Sequence, residues 1–364
     1  MKEKKRRDVG IDLGKREYTM AIIGKNEKMS LHCGKTSAQG RQSLYKQLRE
    51  SDKVALEAGN LSFIIARDIQ ERVGCEVRVL NSSKLPFIWD APTKTDREDA
   101  MKLAHLVEER RDEKLPIVPL PSEEEIERRK TLASYSREMK WRTSLLNQLH
   151  AIFVHQGQTT VVKKDIATSE KRQETIKILK GQEGEEAEWL LKYLELHETR
   201  IKELKSKMLK EAKEDENMKN LQTIPGVGPV VAYAFVAHVG DGSRFNKGAQ
   251  VSNYIGFVPR LDYSGTIQRQ GHITKHGNGY LRGLLVQAAW SMVKCKTNSS
   301  FKERFICLTA FGGRSKKKTI VSIGRRLTEL MFSVLRNKAT YNVRPWAGKH
   351  EYYGDIRELK KISA

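Results

Sequence analysis

Long apolar runs are missing from this sequence. The most apolar stretch, Pro229 to Val239 (PVVAYAFVAHV), falls far short of the ~20 residues that a membrane-spanning helix needs. Cysteine is scarce, and Cys33, Cys75, Cys295 and Cys307 are scattered with no Cys-x-x-Cys pair. That spacing excludes a disulfide framework and reads as thiols of a reducing compartment. The basic start, MKEKKRRDVGIDLG, has no apolar signal-peptide core and runs directly into an alternating strand pattern, so a soluble, intracellular protein is expected. Negative charge is also in short supply. There are 67 Lys+Arg against 45 Asp+Glu, giving a net charge of +22 and a pI near 9.7. Such a balance says nothing about fold, but it favours a polyanionic partner, nucleic acid above all.

The chain has 364 residues, 38% of them hydrophobic and 31% charged, enough for two or three domains with ordinary cores. Residues 8–23 contain two apolar runs around a Gly-Lys turn and read as a hairpin. A short strand follows at Met29–Cys33, a helix to about Leu48, a strand at Val54–Gly59, a helix over Ser62–Arg72, a strand at Val77–Leu80 and a helix from Thr95 to Glu109. This alternation predicts an α/β domain with a partly parallel sheet. Residues 121–220 are rich in Glu, Lys and Arg, nearly free of proline, and helical by composition. Leu190, Leu194, His197, Ile201, Leu204 and Met208 follow a heptad-like spacing broken by His197. An antiparallel hairpin and an oligomerising coiled coil both fit that pattern. The remainder reads as mainly helical with Gly-rich breaks, and residues 261–364 carry 20 Lys+Arg against 6 Asp+Glu.

Four carboxylates stand out. Asp12 interrupts an apolar strand in GIDLGK, Glu57 ends another in VALEAG, and Asp96 and Asp99 in KTDREDA are three apart on a helix. Strand ends and a capping helix can converge on one sheet edge. Clustered carboxylates repel unless a cation neutralises them, and hard oxygen donors suit Mg²⁺ or Mn²⁺. Such ions activate nucleophiles and stabilise the leaving oxygen of a phosphodiester.

Two further segments draw attention. IPGVGP, Ile224–Pro229, fits either a helix-hairpin-helix turn, with Gly226 and Gly228 presenting backbone N–H groups to phosphate, or a plain tight turn. Tyr254 to Trp290 holds Tyr263 and Ser264 in a Tyr-Ser-Gly turn, followed by Arg269, Lys275, His276 and Arg282. Serine is a poor nucleophile without an activating base, metal or cationic setting, and by chemistry alone Tyr263 is an equal candidate. Arg269, Lys275 and Arg282 would suit DNA backbone phosphates, and GHITKHGN before an apolar helix offers an N-terminal turn for one.

The order GIDLGK, ALEAGN, K-T-D-x-x-D-A, IPGVGP, GDGSRF and YIGFVP…YSG…GHITKHGNGYLR resembles the insertion-sequence-110 family of transposases, DEDD recombinases guided by a bridge RNA. The resemblance runs from about residue 8 to 340. It implies an RNase H-like, RuvC-like domain over 1–118, a helical coiled-coil arm over 119–218, a mainly helical transposase domain over 219–345, and a basic tail over 346–364. The family's acidic positions fall on Asp12, Glu57, Asp96 and Asp99, with Mg²⁺ or Mn²⁺ as cofactor, and its serine nucleophile falls on Ser264. It further implies donor and target DNA, a structured bridge RNA and a homo-oligomer as partners, a composite site in a tetramer, and a place in the prokaryotic cytoplasm near the nucleoid. Where the family often has another serine, this chain has Tyr263.

Other readings compete. A metal-dependent junction resolvase would use water as nucleophile and leave Ser264 a turn residue. A sugar-kinase or actin-like ATPase would explain GIDLGK, but needs a second phosphate loop and an adenosine motif where this chain has a charged helical segment. A non-catalytic nucleic-acid-binding protein would make all four carboxylates structural.

Overall fold

Residues 8–23 fold as their alternation requires. Strands β1 (Asp8–Leu13) and β2 (Glu17–Ile23) are antiparallel neighbours with Gly10 opposite Ala21, and β3 (Met29–Lys35) pairs antiparallel with β2. On the other side of β1 lie β4 (Lys53–Glu57) and β5 (Glu76–Leu80), both parallel, which completes a mixed five-stranded sheet of order β3-β2-β1-β4-β5. The computed structural model describes residues 6–24, 29–59, 61–81, 84–85, 95–264, 267–295, 299–342, 349–350 and 354–355, without the side chains of 261–264, 267–270, 311, 349–350 and 354–355. The basic tail expected over 346–364 lies almost entirely outside them. The chain divides into two compact units, Met1–Ser122 and Glu123–Ala364.

The first unit has three layers, set by the two-residue period of its strands. Val9, Ile11, Val54, Leu56, Val77 and Val79 pack with Leu44 and Tyr45 of α1 (Ala38–Gln47) and with Ile65, Ala66 and Ile69 of α2 (Ser62–Val73). The alternate residues face α3 (Asp96–Glu109), where Ala55 and Leu80 meet Leu103 and Leu106, and Ala21 and Ile23 meet Ala100 and Ala104. Thr95 caps α3 by accepting from the Glu98 N–H.

The second unit opens with a helical hairpin, α4 (Glu123–His155) and α6 (Gly181–Glu214), flanking the short α5 (Ser169–Ile176). The pairing is antiparallel, because Arg128 near the start of α4 meets Glu211 and Asp215 at the far end of α6, while Glu138 meets His197 and Arg142 meets Glu198. The heptad-like residues Leu190, Leu194, Leu204 and Met208 are buried. His197, the break in that pattern, bonds Glu138 at 2.6 Å and packs on Trp141. The fully buried Arg172 reaches Glu198 at 3.0 Å.

Helices α7 (Glu216–Gln222), α8 (Pro229–Val239), α9 (Gly248–Ile255), α10 (Gly279–Lys294), α11 (Ser300–Ile306) and α12 (Lys316–Asn337) follow, with a π-helical turn over Cys307–Phe311. The apolar α8 is their hub: Ala232 to Val236 and Val239 sit in one core with Leu281, Leu285, Ala288, Leu327 and Met331. Between α9 and α10 stands an antiparallel ribbon, β6 (Pro259–Ser264) and β7 (Ile267–Ile273), with a register shift between Pro259 and Leu261. No helix among the described residues is long and apolar enough to cross a membrane.

Candidate functional site

In the first unit the site begins with strand register. The parallel pairing of β1 and β4 runs to Ile11 opposite Leu56, so one residue further on Asp12 and Glu57 stand side by side at the carboxyl ends of both strands. By alternation they share the face of Gly10 and Ala55, the face that α3 covers. Both carboxylates are half-buried and neither is without an interaction partner.

The direction of α3 follows from two contacts. Its carboxyl end lies near the start of β1, where Arg6 reaches the Val107 carbonyl. Its second turn is pressed onto the middle of β1, where a Cβ on Gly10 would come within 2.1 Å of the Ala100 carbonyl oxygen and 2.4 Å of the Ala104 nitrogen. The helix therefore runs antiparallel to β1, and its first turn, which carries Asp96 and Asp99, lies toward the Asp12 end. Only a residue without a side chain permits this approach.

The two helix carboxylates differ in environment. Asp96 is exposed, whereas Asp99 is 5% exposed and its Oδ1 has no hydrogen-bond partner, the nearest cation being Lys102 at 3.9 Å. A buried carboxylate oxygen left without a partner is costly, and an added donor or cation would relieve it. Among the described residues no three acidic, histidine or cysteine side chains are arranged close enough to hold a metal ion. The donor chemistry, four carboxylates with one buried oxygen unpaired, nevertheless fits a hard cation such as Mg²⁺ or Mn²⁺.

In the second unit, Ser264 is the last residue of β6 and its Cα pairs with Ile267 across the ribbon, with Tyr263 opposite Gln268 and Arg269 opposite Asp262. The ribbon was not expected from the sequence, which pointed to a turn within a mainly helical region. The side chains of Tyr263, Ser264 and Arg269 lie outside the described residues, as do Gly265 and Thr266 at the tip.

The residues around the ribbon sort into bound and open. Lys275 is exposed and holds a left-handed conformation, φ 57°, with its N–H donating to the Gly256 carbonyl. Arg282 serves as a local clasp, donating to the Ile255 carbonyl at 2.8 Å and the His276 carbonyl at 3.2 Å. The start of α10 is closed by Asn278, whose Oδ1 accepts from the Tyr280 and Leu281 N–H groups, so those donors do not await a phosphate. In IPGVGP, Gly226 has φ 86°, and a Cβ there would lie 2.6 Å from the Ala288 carbonyl oxygen. Its role is close packing against α10. Gly228 heads α8 with open space around its missing Cβ.

One polar group escaped the sequence reading. His238, in the last turn of α8, sits 3.1 Å from the Asn278 amide nitrogen. Burial, with the nearby charges of Arg129 and Arg244, pushes its pKa down to about 4. The imidazole is therefore neutral near pH 7, and Nε2 can accept from the amide whose oxygen caps α10. Arg129 donates to the Ala237 carbonyl at 2.7 Å and Arg244 to that of His238. The Arg129 contact joins residues 108 positions apart and the Asn278 contact residues 40 apart, and no local pattern announces them.

Residues 218–305 match the family model described as transposase, IS116/IS110/IS902 family. The chain is 26% identical to a probable family 20 transposase of Pseudomonas aeruginosa, over 92% of this chain and 98% of that one. It is 26% identical to the transposase for insertion sequence element IS1111A of Coxiella burnetii, over 68% of each chain. A shorter match, 30% identical over 34% of this chain and 38% of the other, is to the pilin gene-inverting protein of Moraxella bovis.

Proposed function

The chain belongs to the IS116/IS110/IS902 family of transposases and is an enzyme acting on DNA, and from that premise we propose that it cuts and rejoins DNA strands through Ser264 with the help of the acidic edge of its first unit. The observation that carries this reading is the register that sets Asp12 beside Glu57, under a helix whose first turn bears Asp96 and Asp99. The mixed sheet with its acidic edge also supports an RNase H-like, RuvC-like assignment for this unit.

In the proposed reaction the Ser264 oxygen attacks a DNA phosphorus. An oxygen–phosphorus bond forms to serine as its proton is lost, and the bond to the leaving strand breaks as that oxygen gains a proton. A strand hydroxyl then attacks the phosphoserine, releasing Ser264 with its proton restored. The count of phosphoester bonds is unchanged, so no outside energy source is needed. Asp12, Glu57, Asp96 and Asp99 would hold Mg²⁺ or Mn²⁺, whose positive charge would offset negative charge building on phosphate oxygens. Exposed Lys275 supplies a cation of the chain's own on the second unit.

The excess of cations over residues 261–364, together with the family, supports DNA as substrate and a structured bridge RNA as guide, acting in a homo-oligomer. The test is recombination by the full chain with Asp12→Asn, Glu57→Gln and Asp99→Asn, each near-isosteric, alongside Ser264→Ala. All four should lose both strand exchange and strand cutting, and added Mn²⁺ should restore neither. Cleavage that survives Ser264→Ala would favour a metal-dependent resolvase with water as nucleophile. A discrete RNA co-purifying with the protein is expected, and its absence would remove the guide from the account.

A further inference from the structure

Many arginines in this protein are paired with acids. Arg7 bonds Asp52, Arg78 bonds Asp112, Arg128 bonds Glu211, and Arg142 and Arg172 share Glu198. Several in the second unit form no ion pair with the described residues, and three of these sit on or between elements that pack together, α11, the turn after it and α12. Arg304 on α11, Arg314 ahead of α12, and Arg326 on α12 form no ion pair with any of the described residues. Burial, with the charges of Arg326 and Arg314, holds the Arg304 pKa below the ordinary arginine value. The Arg304 Nε is buried with no hydrogen-bond partner, whereas Arg314 and Arg326 are exposed.

The backbone explains the convergence. The π-helical turn over Cys307–Phe311 ends α11, and the Arg314 N–H folds back to the Leu308 carbonyl at 3.0 Å, drawing the loop against the turn. The loop then enters α12, whose first turn carries exposed Lys316, Lys317 and Lys318 and no acid, and whose N-cap Ser315 makes no side-chain cap. Lys318, Ser322 and Arg326 follow one another at four-residue spacing and share a face. Like charges brought together around a desolvated donor, beside open helix N–H groups, destabilise the protein alone and are relieved by a bound anion.

We propose that Arg304, Arg314 and Arg326, with the open first turn of α12, form a clamp for phosphates of a nucleic-acid backbone. The clamp rests on the reading that the second unit holds nucleic acid, and it is separate in sequence from the Ser264 ribbon. Arginine suits the role, since its planar fork binds phosphate oxygens two at a time.

The experiment measures binding of the full chain to duplex DNA and to structured RNA across a salt series. It compares the natural protein, the triple variant Arg304→Gln/Arg314→Gln/Arg326→Gln, and a charge-matched control, Lys202→Gln/Lys205→Gln/Lys210→Gln, on the helical hairpin. Each neutralised phosphate contributes about 0.9 to the slope of log affinity on log salt for duplex DNA and about 0.7 for single strands. The triple variant should therefore lose roughly two to three from the slope on at least one ligand, and the control less than about one. A loss on DNA, on RNA or on both supports the clamp and identifies which backbone it holds. Pyrophosphate should raise the melting temperature of the natural protein and not that of the triple variant. Arg314→Gln alone, at an exposed position, should cost about one in slope and guards against a folding artefact. A steep slope in the natural protein that the triple variant keeps in full would overturn the clamp alone. No salt-dependent binding of either nucleic acid by the natural protein would overturn the underlying reading as well.

Discussion

The two units handle charge in opposite ways. In the first, acids gather along one sheet edge and a buried carboxylate oxygen of Asp99 has no hydrogen-bond partner. In the second, the buried acid–base groups of the helical hairpin are matched, with Glu198 between Arg142 and Arg172 and Glu138 against His197. Among the second unit's charges with no ion pair to the described residues are the cations of Arg304 and its neighbours. Paired charge in this molecule fixes architecture, whereas charge left without a partner collects where an outside ion or polyanion can complete it.

If that contrast is sound, the largest effect comes from removing charge at the acidic edge. Asp12→Asn or Glu57→Gln should lower strand exchange about a thousandfold, as loss of an electrostatic stabiliser does, with little change in urea midpoint. Because such groups act together, the double variant should cost little more than either single one. Additive losses, or loss of fold in place of loss of rate, would make the edge an architectural feature like the hairpin.

The hairpin should respond in the reverse sense. Glu198→Gln leaves Arg172, fully buried, and Arg142 without their shared acid, and should cost about 3 kcal/mol of stability. Urea unfolding measures it, and a loss under about 1 kcal/mol would place this triad among weak surface pairs. In the first unit Gly10→Ala tests the seat of α3. Its new methyl would fall within 2.1 Å of the Ala100 carbonyl oxygen, so overpacking of about 2–3 kcal/mol is expected. Metal-dependent activity should fall as the first turn of α3 is displaced from Asp12.

Much of the first unit was legible because short-range rules govern it. Alternation gave β1 and β2, and the interruption of an apolar strand by Asp12 and the ending of another on Glu57 gave the acidic edge. The helix starting at Asp96 was legible from Thr95 and the acids after it. The β6–β7 ribbon was not, although Leu261, Tyr263 and Ile267 alternate with polar residues, because each apolar set is only one or two residues long and is interrupted by a Ser-Gly turn signal between helical stretches. Gly226 could be read two ways for a related reason. A glycine needed for close packing against α10 has the same local sequence as one that presents an N–H to phosphate. Arg282 likewise proved to be tied to the Ile255 and His276 carbonyls.

The smallest of the expected effects concerns pH. His238 is held neutral, with a pKa of about 4 against an ordinary value of 6.5. The unfolded chain takes up a proton at this residue as pH falls through about 6.5, while the folded chain resists until about 4. The stabilisation is therefore complete above the ordinary value and is lost as pH falls through that window. Allowing for partial solvent access, the loss should be about 2 kcal/mol. His238→Gln should flatten the stability curve between these limits, and an unchanged curve would assign the acid sensitivity to other groups.

The central claim is that an acidic edge in one unit and a serine in the other serve one reaction. Trapping the covalent protein–DNA adduct in the full chain, digesting it and mapping the modified peptide tests this most directly. The account predicts a nucleotide on Ser264 in the natural protein and little or no adduct in Asp12→Asn or Ser264→Ala. A nucleotide on Tyr263, or undiminished adduct in either variant, would contradict it.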